Sequence, residues 1–181
     1  MLHPSVETER LLLRPLREAD LDAYAEMLGD PEFARYIGTG ETVDRVGAWR
    51  NIATMLGHWH LRGFGFWAIE RKSDGLFLGR AGLLYPEGWP GIEVGWGITP
   101  QHWGQGYATE AGAAGLRFGF EELGLEKLIS LYRPENSASL RVGEKLGETF
   151  ESETEMMGGP VVTYAITREQ WQQTQSLLIH D

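Results

Sequence analysis

The chain contains no cysteine, which removes disulfides, thiol nucleophiles and thiolate metal sites from consideration. Basic residues are few: 16 Lys and Arg stand against 26 Asp and Glu, for a formal charge of −10. A nucleic-acid partner needs a basic face, so none is expected. The same balance would suit a cationic substrate such as an amine, although acidity that merely keeps a protein soluble looks identical. No run approaches the ~18 apolar residues of a membrane span, so no membrane partner is expected. The stretch Met1-Leu-His-Pro-Ser-Val-Glu-Thr-Glu lacks the basic and apolar regions of a signal peptide, and a cytoplasmic location is the expectation. Internal repeats and low-complexity tracts are missing too. Of the five histidines, His58 and His60 would point to different faces of a helix, and no carboxylate stands at metal-ligand spacing. No metal site is expected.

What is present reads as one domain, long enough to bury about 70% of its unfolded surface. Glu9 to Leu16 reads as a strand ended by Pro15. Asp20 to Leu28 has the 3.6-residue spacing of an amphipathic helix, and Thr42 is placed to cap a second from Val43 to Arg62, with Val46, Trp49, Ile52, Ala53 and Leu56 on one face. Strands then follow at Phe66 to Arg71, Leu76 to Tyr85 and Gly91 onward, a three-stranded meander turning at Ser73-Asp-Gly75. A long helix, Tyr107 to Leu123, ends at Gly124. Beyond it come a strand, Lys127 to Tyr132, and a helix from Asn136 to Leu146. A hairpin turns across Gly158-Gly159, and the capping box Thr167-Arg-Glu-Gln170 opens a last helix.

The chain's most informative stretch is Gly91-Ile-Glu-Val-Gly-Trp-Gly-Ile-Thr-Pro-Gln-His-Trp-Gly-Gln-Gly-Tyr-Ala-Thr-Glu-Ala111. Ile92, Val94, Trp96 and Ile98 alternate as in a strand, Pro100 ends it, and a glycine-rich turn leads into a helix. Strand, glycine turn and helix together suit an anion such as phosphate. Glycine lets the ligand approach the backbone, and the unpaired N–H groups of the helix start face it. A dinucleotide-binding turn does not fit: the third glycine is replaced by Thr109, Glu126 precedes the next apolar run instead of ending it, and the motif lies mid-chain.

Trp103-Gly104-Gln105-Gly106-Tyr107-Ala108 resembles the acyl-CoA turn of the GNAT superfamily of N-acetyltransferases, Q/R-x-x-G-x-G/A, with Trp103 in the first place. A second frame, Gln101 to Gly106, fits the letters but starts the helix two residues early. The longer string from Glu93 to Ala111 resembles the branch that acetylates ribosomal-protein N-termini. The resemblance implies an α/β fold with a mixed sheet, in the order β-α-α-β-β-β-α-β-α-β-β plus a C-terminal helix. It implies a central strand that splays from its neighbour, leaving backbone groups at Trp96 and Ile98 for the amide-bearing arm of acetyl-CoA. Trp96, Ile98, Trp103, Gly104, Gln105, Gly106, Tyr107, Ala108 and Thr109 would then hold the cofactor. The partner would be an amine acceptor, either a protein N-terminus or a small molecule, with a homodimer left open.

A second signature, Asn136-Ser-Ala-Ser139-Leu-Arg-Val-Gly-Glu-Lys145-Leu-Gly147, looks like the family's N-x-x-S/A…E-K-L-G segment. The resemblance gives Asn136 a hydrogen bond to the pantetheine arm; the plainer reading is a helix cap. Where many relatives carry a tyrosine that meets the departing thiolate, this chain has Gly143. Ser139 remains, matching the serine the ribosomal branch offers to the sulfur, or else it bonds back to a carbonyl one turn earlier. Amine acetylation also needs a base, and Glu93, a carboxylate among apolar neighbours, is the candidate. Its structural alternative is an ion pair with Arg80 across the sheet. Glu110 reads as helix-face packing or dipole complementation. His102, beside the turn, reads as a solvated loop histidine, with contact to phosphate or substrate as the alternative. Trp49, Trp59, Trp67, Trp89 and Trp96 read as mostly core, with one or two lining an amine cleft. The expected activity is direct acetyl transfer in a ternary complex, since no covalent nucleophile is evident. The alternative is a non-catalytic acyl-CoA-binding sensor on the same fold.

Overall fold

The computed structural model describes residues 3–178. The first strand expected within Glu9 to Leu16 forms as β2 (Leu11–Arg14), and a short strand before it, β1 (Val6–Glu7), pairs with it as a hairpin. The chain reverses between them because Thr8 bonds Leu11 through both its backbone N–H and its hydroxyl. Next come α1 (Leu21–Gly29), α2 (Pro31–Ala34) and α3 (Arg45–Arg62). The brief α2 went unread although Asp30 caps it and Pro31 occupies its first turn, which is a recognisable helix start. Asp44, not Thr42, caps α3 by accepting the Gly47 N–H at 2.8 Å. Thr42 falls outside the helix because Val43 is tied to the end of α1 through the Leu28 carbonyl.

Strands β3 (Phe66–Arg71), β4 (Phe77–Leu84) and β5 (Glu93–Ile98) form the expected antiparallel meander. Then follow α4 (Tyr107–Arg117), β6 (Lys127–Tyr132), α5 (Ser137–Lys145), β7 (Thr149–Met156), β8 (Gly159–Thr167) and α6 (Arg168–Leu178). The eight strands form one mixed sheet in the order β1-β2-β3-β4-β5-β6-β8-β7. Only β5 and β6 run parallel.

One apolar core fills the space between the sheet and α4, with Leu83, Val94, Ala111 and Leu116 at its centre. The second, around Tyr24, Met27, Ile52, Phe66 and Ala68, joins the other face to α1 and α3. The buried face of α3 is Ala48, Ile52, Met55, His58 and Trp59. Val46 and Trp49, expected inside, are about half exposed. The helix is thus rotated from the face its apolar residues suggested, since Trp59 takes the place against Trp67 and Phe118. The long helix also differs. After Arg117 it widens into a π turn over Phe118–Glu122, which lets Phe118 meet Trp67 at 5.0 Å while Phe120 meets Trp171 at 5.5 Å. The last hairpin turns one residue early, on Met157 and Gly158, both with positive φ. Thr167 and Gln170 form the expected capping box on α6. Among the described residues no helix is long and apolar enough to cross a membrane.

Candidate active site

The site is built where β5 and β6 part. Their register is a single pairing, Glu93 with Ile129, reinforced by Ile129 N–H to the Ile92 carbonyl at 3.0 Å. Two residues on, the Val94 carbonyl is met not by backbone but by the Ser130 hydroxyl at 2.7 Å. Alternation along the strand puts the N–H and C=O of Trp96 on the same edge, beyond the last β6 partner. These groups are therefore available to an amide-bearing ligand. Glycines bring α4 down onto this strand: a Cβ at Gly112 would lie 2.9 Å from the Trp96 ring, and one at Gly115 3.1 Å from Val94.

A cavity of about 430 Å³ opens at the split. Trp96, Ile98, Trp103, Gly104, Gly106, Tyr107, Ala108, Thr109, Asn136 and Ser139 all line it. Those ten residues were read from sequence alone, and the fold brings them together. Gln105 does not line the cavity; its side chain is exposed, and its carbonyl accepts from Arg10 at 2.9 Å. Gly104 and Gly106 take left-handed backbone angles, φ +74° and +82°, which other residues adopt only with strain. The helix begins at Tyr107, as the frame starting at Trp103 requires. The Trp103 indole donates to the Ile98 carbonyl at 2.6 Å and fixes the turn to the end of β5.

On the opposite wall, Asn136 caps α5 through Oδ1, which accepts the Ser139 N–H at 3.2 Å. The cap uses only the oxygen, so the Asn136 amide NH2 is left for a ligand in the cavity. The Ser139 hydroxyl makes no bond back to a carbonyl. Sequence reading missed Ala138, Arg141, Val142 and Lys145, which line the cavity from α5. Counted from Ala138 they stand at i, i+3, i+4 and i+7, the spacing of one helical face, which was the available signal. It also missed Phe33, Tyr36 and Ile37 beside α2. His102, read as a solvated loop residue, lines the cavity as well.

Glu93 stands on the other face of β5 from Val94 and Trp96, with Gly95 and Gly97. There a Cβ at Gly97 would meet the Phe33 ring and one at Gly95 the Phe66 ring, each at 2.8 Å. Burial raises the Glu93 carboxyl to about 7, against the hydrogen bonds from the Trp89 indole and the Leu131 N–H that favour its charged form. The residue as a whole is only partly buried. The ion pair with Arg80 is not formed. Arg80 donates instead to the Tyr24 hydroxyl and to Asn51 Oδ1, at 2.6 and 2.8 Å. Of the tryptophans, Trp59 and Trp67 are core, Trp96 is cavity wall, Trp89 holds Glu93 and Trp49 is surface. His58 is a core residue, accepting the Tyr85 N–H and facing the Phe64 carbonyl. Among the described residues no group of three or more His, Asp or Glu could hold a metal ion.

A parted strand pair and a glycine turn feeding a helix start are the marks of an acyltransferase fold. The chain belongs to the GNAT acetyltransferases: the acetyltransferase (GNAT) domain family matches residues 10–149. Acetyl-CoA is the acyl donor of that family. An FsC-acetyl coenzyme A-N(2)-transacetylase of Aspergillus fumigatus is 32% identical over 190 aligned residues, covering 93% of this chain and 78% of its own. The crystal structure of an acetyltransferase from Agrobacterium tumefaciens is 32% identical with a TM-score of 0.81, covering 90% of this chain and 94% of that one. A putative ribosomal-protein-serine acetyltransferase of Vibrio cholerae shares the fold, with a TM-score of 0.75 over 92% of this chain and 99% of its own, at 17% identity.

Proposed function

We propose that the protein moves the acetyl group of acetyl-CoA to a primary amine, directly and within a ternary complex. The observation that carries this reading is the β5–β6 split, with a phosphate-suited turn at one end and the Glu93 carboxyl on the opposite sheet face. Pyrophosphate would sit on the N–H groups at Gly106 to Ala108. The pantetheine amides would pair with Trp96 and the Asn136 NH2, bringing the thioester to Ser139. Glu93, at about 7, takes the ammonium proton near neutrality, directly or through a water. The Ser139 hydroxyl offers the departing sulfur a hydrogen bond.

The acceptor is a protein N-terminus or a small amine. The tryptophan-bearing turn supports the ribosomal-protein branch; the fungal relative, named for transfer from acetyl coenzyme A to an N(2) position, supports a nitrogen acceptor of either kind. Gly143, in a position where a tyrosine would meet the thiolate, favours a second reading as an acyl-CoA-binding sensor. Free CoA thiol released in the presence of an amine and peptide panel separates the two. A protein that binds acetyl-CoA tightly and releases no thiol, whichever amine of the panel is offered, is a sensor.

A further inference from the structure

Behind the cavity, on the sheet face covered by α4 and α5, three polar side chains form a buried chain. The Tyr132 hydroxyl donates to Glu148 Oε2 at 2.6 Å, Glu148 Oε1 lies 2.8 Å from the Ser130 hydroxyl, and Ser130 reaches the Val94 carbonyl at 2.7 Å. Tyr132, Glu148 and Ser130 are 5%, 3% and 1% exposed. The mechanism above gives Tyr132 and Glu148 nothing to do.

Counting protons shows what state the chain is in. The Val94 carbonyl can only accept, so the single Ser130 proton goes to it. The short contact between Ser130 Oγ and Glu148 Oε1 then needs a proton carried by Glu148. The geometry holds Glu148 as a neutral carboxylic acid. Burial pushes its carboxyl up, consistent with that state, and pushes the Tyr132 phenol up as well.

Gly143 of α5 packs against this chain. Val142 and Trp96, which line the cavity, flank this point, the Trp96 ring lying 6.2 Å from that of Tyr132. A Cβ on residue 143 would overlap the Tyr132 hydroxyl and lie 2.6 Å from Glu148 Oε2. Gly143 has an ordinary backbone, so its want of a side chain serves the phenol rather than a turn. It also stands one helical turn beyond Ser139, on the same face of α5.

We propose that Tyr132, backed by Glu148 and Ser130, supplies the proton to the departing CoA thiolate past Gly143, which puts no side chain in the way. This rests on the acetyl-transfer reading. When the tetrahedral adduct collapses, the C–S bond breaks and its electron pair stays on sulfur. Glu148 first turns its carboxyl so that the acid proton faces the phenol, and Ser130 swings its own proton from the Val94 carbonyl to the other carboxyl oxygen. Sulfur then takes the phenol proton, directly or through one water, as the Glu148 proton moves to the phenol oxygen. A phenol alone is too weak an acid for a thiolate whose conjugate acid has a pKa near ~8.5. A carboxylic acid behind it makes the transfer favourable. Glu148 regains a proton from solvent before the next turnover, while the two protons lost by the ammonium leave on the Glu93 side. One proton is therefore released net.

The test compares the parent with Tyr132→Phe, Glu148→Gln and the double variant, reading CoA thiol release at saturating acetyl-CoA and amine. Each single variant should lose roughly 10²-fold in kcat while acetyl-CoA affinity by calorimetry stays within about twofold of the parent. The double variant should be no slower than the slower single, because the two act as one unit. The solvent deuterium effect on kcat should shrink in Tyr132→Phe. Turnover at the parent rate, a loss fully explained by weaker binding, or losses that multiply in the double variant would overturn the assignment. Should Tyr132→Phe fail to fold, Glu148→Gln decides alone, since glutamine keeps the shape and can still accept from Tyr132. A parent that binds acetyl-CoA but acetylates no amine removes the acetyl-transfer reading and this inference with it. An active parent with an equally active Tyr132→Phe removes only this inference.

Discussion

Arg10 on the N-terminal hairpin and Glu110 on α4 hold the phosphate turn between them. The Glu110 carboxylate accepts from the Arg10 guanidinium at 2.7 Å and from the Arg10 N–H at 2.8 Å, and also from the Thr8 hydroxyl. Arg10 then reaches the Gln105 carbonyl and stacks over the Tyr107 ring, 4.6 Å from its centre. Burial alone would raise the Glu110 carboxyl, but these donors outweigh it and hold it below the usual range. Its stabilising effect is thus present above the ordinary carboxylate pKa and lost as pH falls through the lowered one. The ion pair is 43% exposed on its arginine side, so its Coulombic share is small. The lost acceptor matters more. Glu110→Ala should destabilise the fold by about 1–3 kcal/mol, measured by denaturant titration at neutral pH, and weaken acetyl-CoA binding through a looser turn.

Gly106→Val should weaken acetyl-CoA binding sharply without unfolding the protein. The left-handed backbone at Gly106 resists a β-branched residue, and a Cβ there would lie 3.3 Å from the Arg10 guanidinium. Calorimetry on a folded variant with parental affinity would remove the phosphate site from this turn.

Asn136 has two separable jobs. Asn136→Asp keeps the oxygen that caps α5 but lacks the NH2, so affinity for acetyl-CoA should fall while the melting temperature holds. Asn136→Ala loses both, adding a capping cost of about 0.5–2 kcal/mol to a binding loss of about 1–3 kcal/mol. Equal affinity in the parent and Asn136→Asp would show that the amide does not touch the pantetheine arm.

Much of this was legible in the sequence because it is local. The bounds of β6, the cap of α5 and the capping box of α6 depend on residues within a few positions of each other. The cofactor turn reads for the same reason. Glu93 could be singled out as a carboxylate in an apolar strand, yet that Arg80 makes no ion pair with it depends on α1 and α3 supplying Tyr24 and Asn51. The face of α3 was misread because Trp59 wins its place through Trp67 and Phe118, far off in sequence. Nothing local joins Tyr132 to Glu148; β6 must pair with β8 and α5 must fold back before they meet.

Stability should carry the sign of the raised carboxyls. Glu93 has a folded pKa of about 7, above its unfolded value. The folded state therefore binds the extra proton, and the stability this gives is full at low pH and lost as pH rises through 7. Glu148 acts in the same direction. The melting temperature of Glu93→Gln relative to the parent should rise between pH 5 and pH 8. A difference that does not change with pH would mean that Glu93 ionises as an ordinary surface carboxylate.

The most direct measurement is the pH–rate profile of CoA thiol release for the parent and Glu93→Gln, with an acceptor amine found by the panel. The parent should show a limb rising through about pH 7, the raised value of Glu93. Glu93→Gln should lose that limb and fall by roughly 10²–10⁴-fold in turnover, with acetyl-CoA affinity little changed. Ser139→Ala should cost less and leave the limb in place. Full activity with an unshifted profile in Glu93→Gln would contradict the account and make Glu93 a structural carboxylate of the sheet.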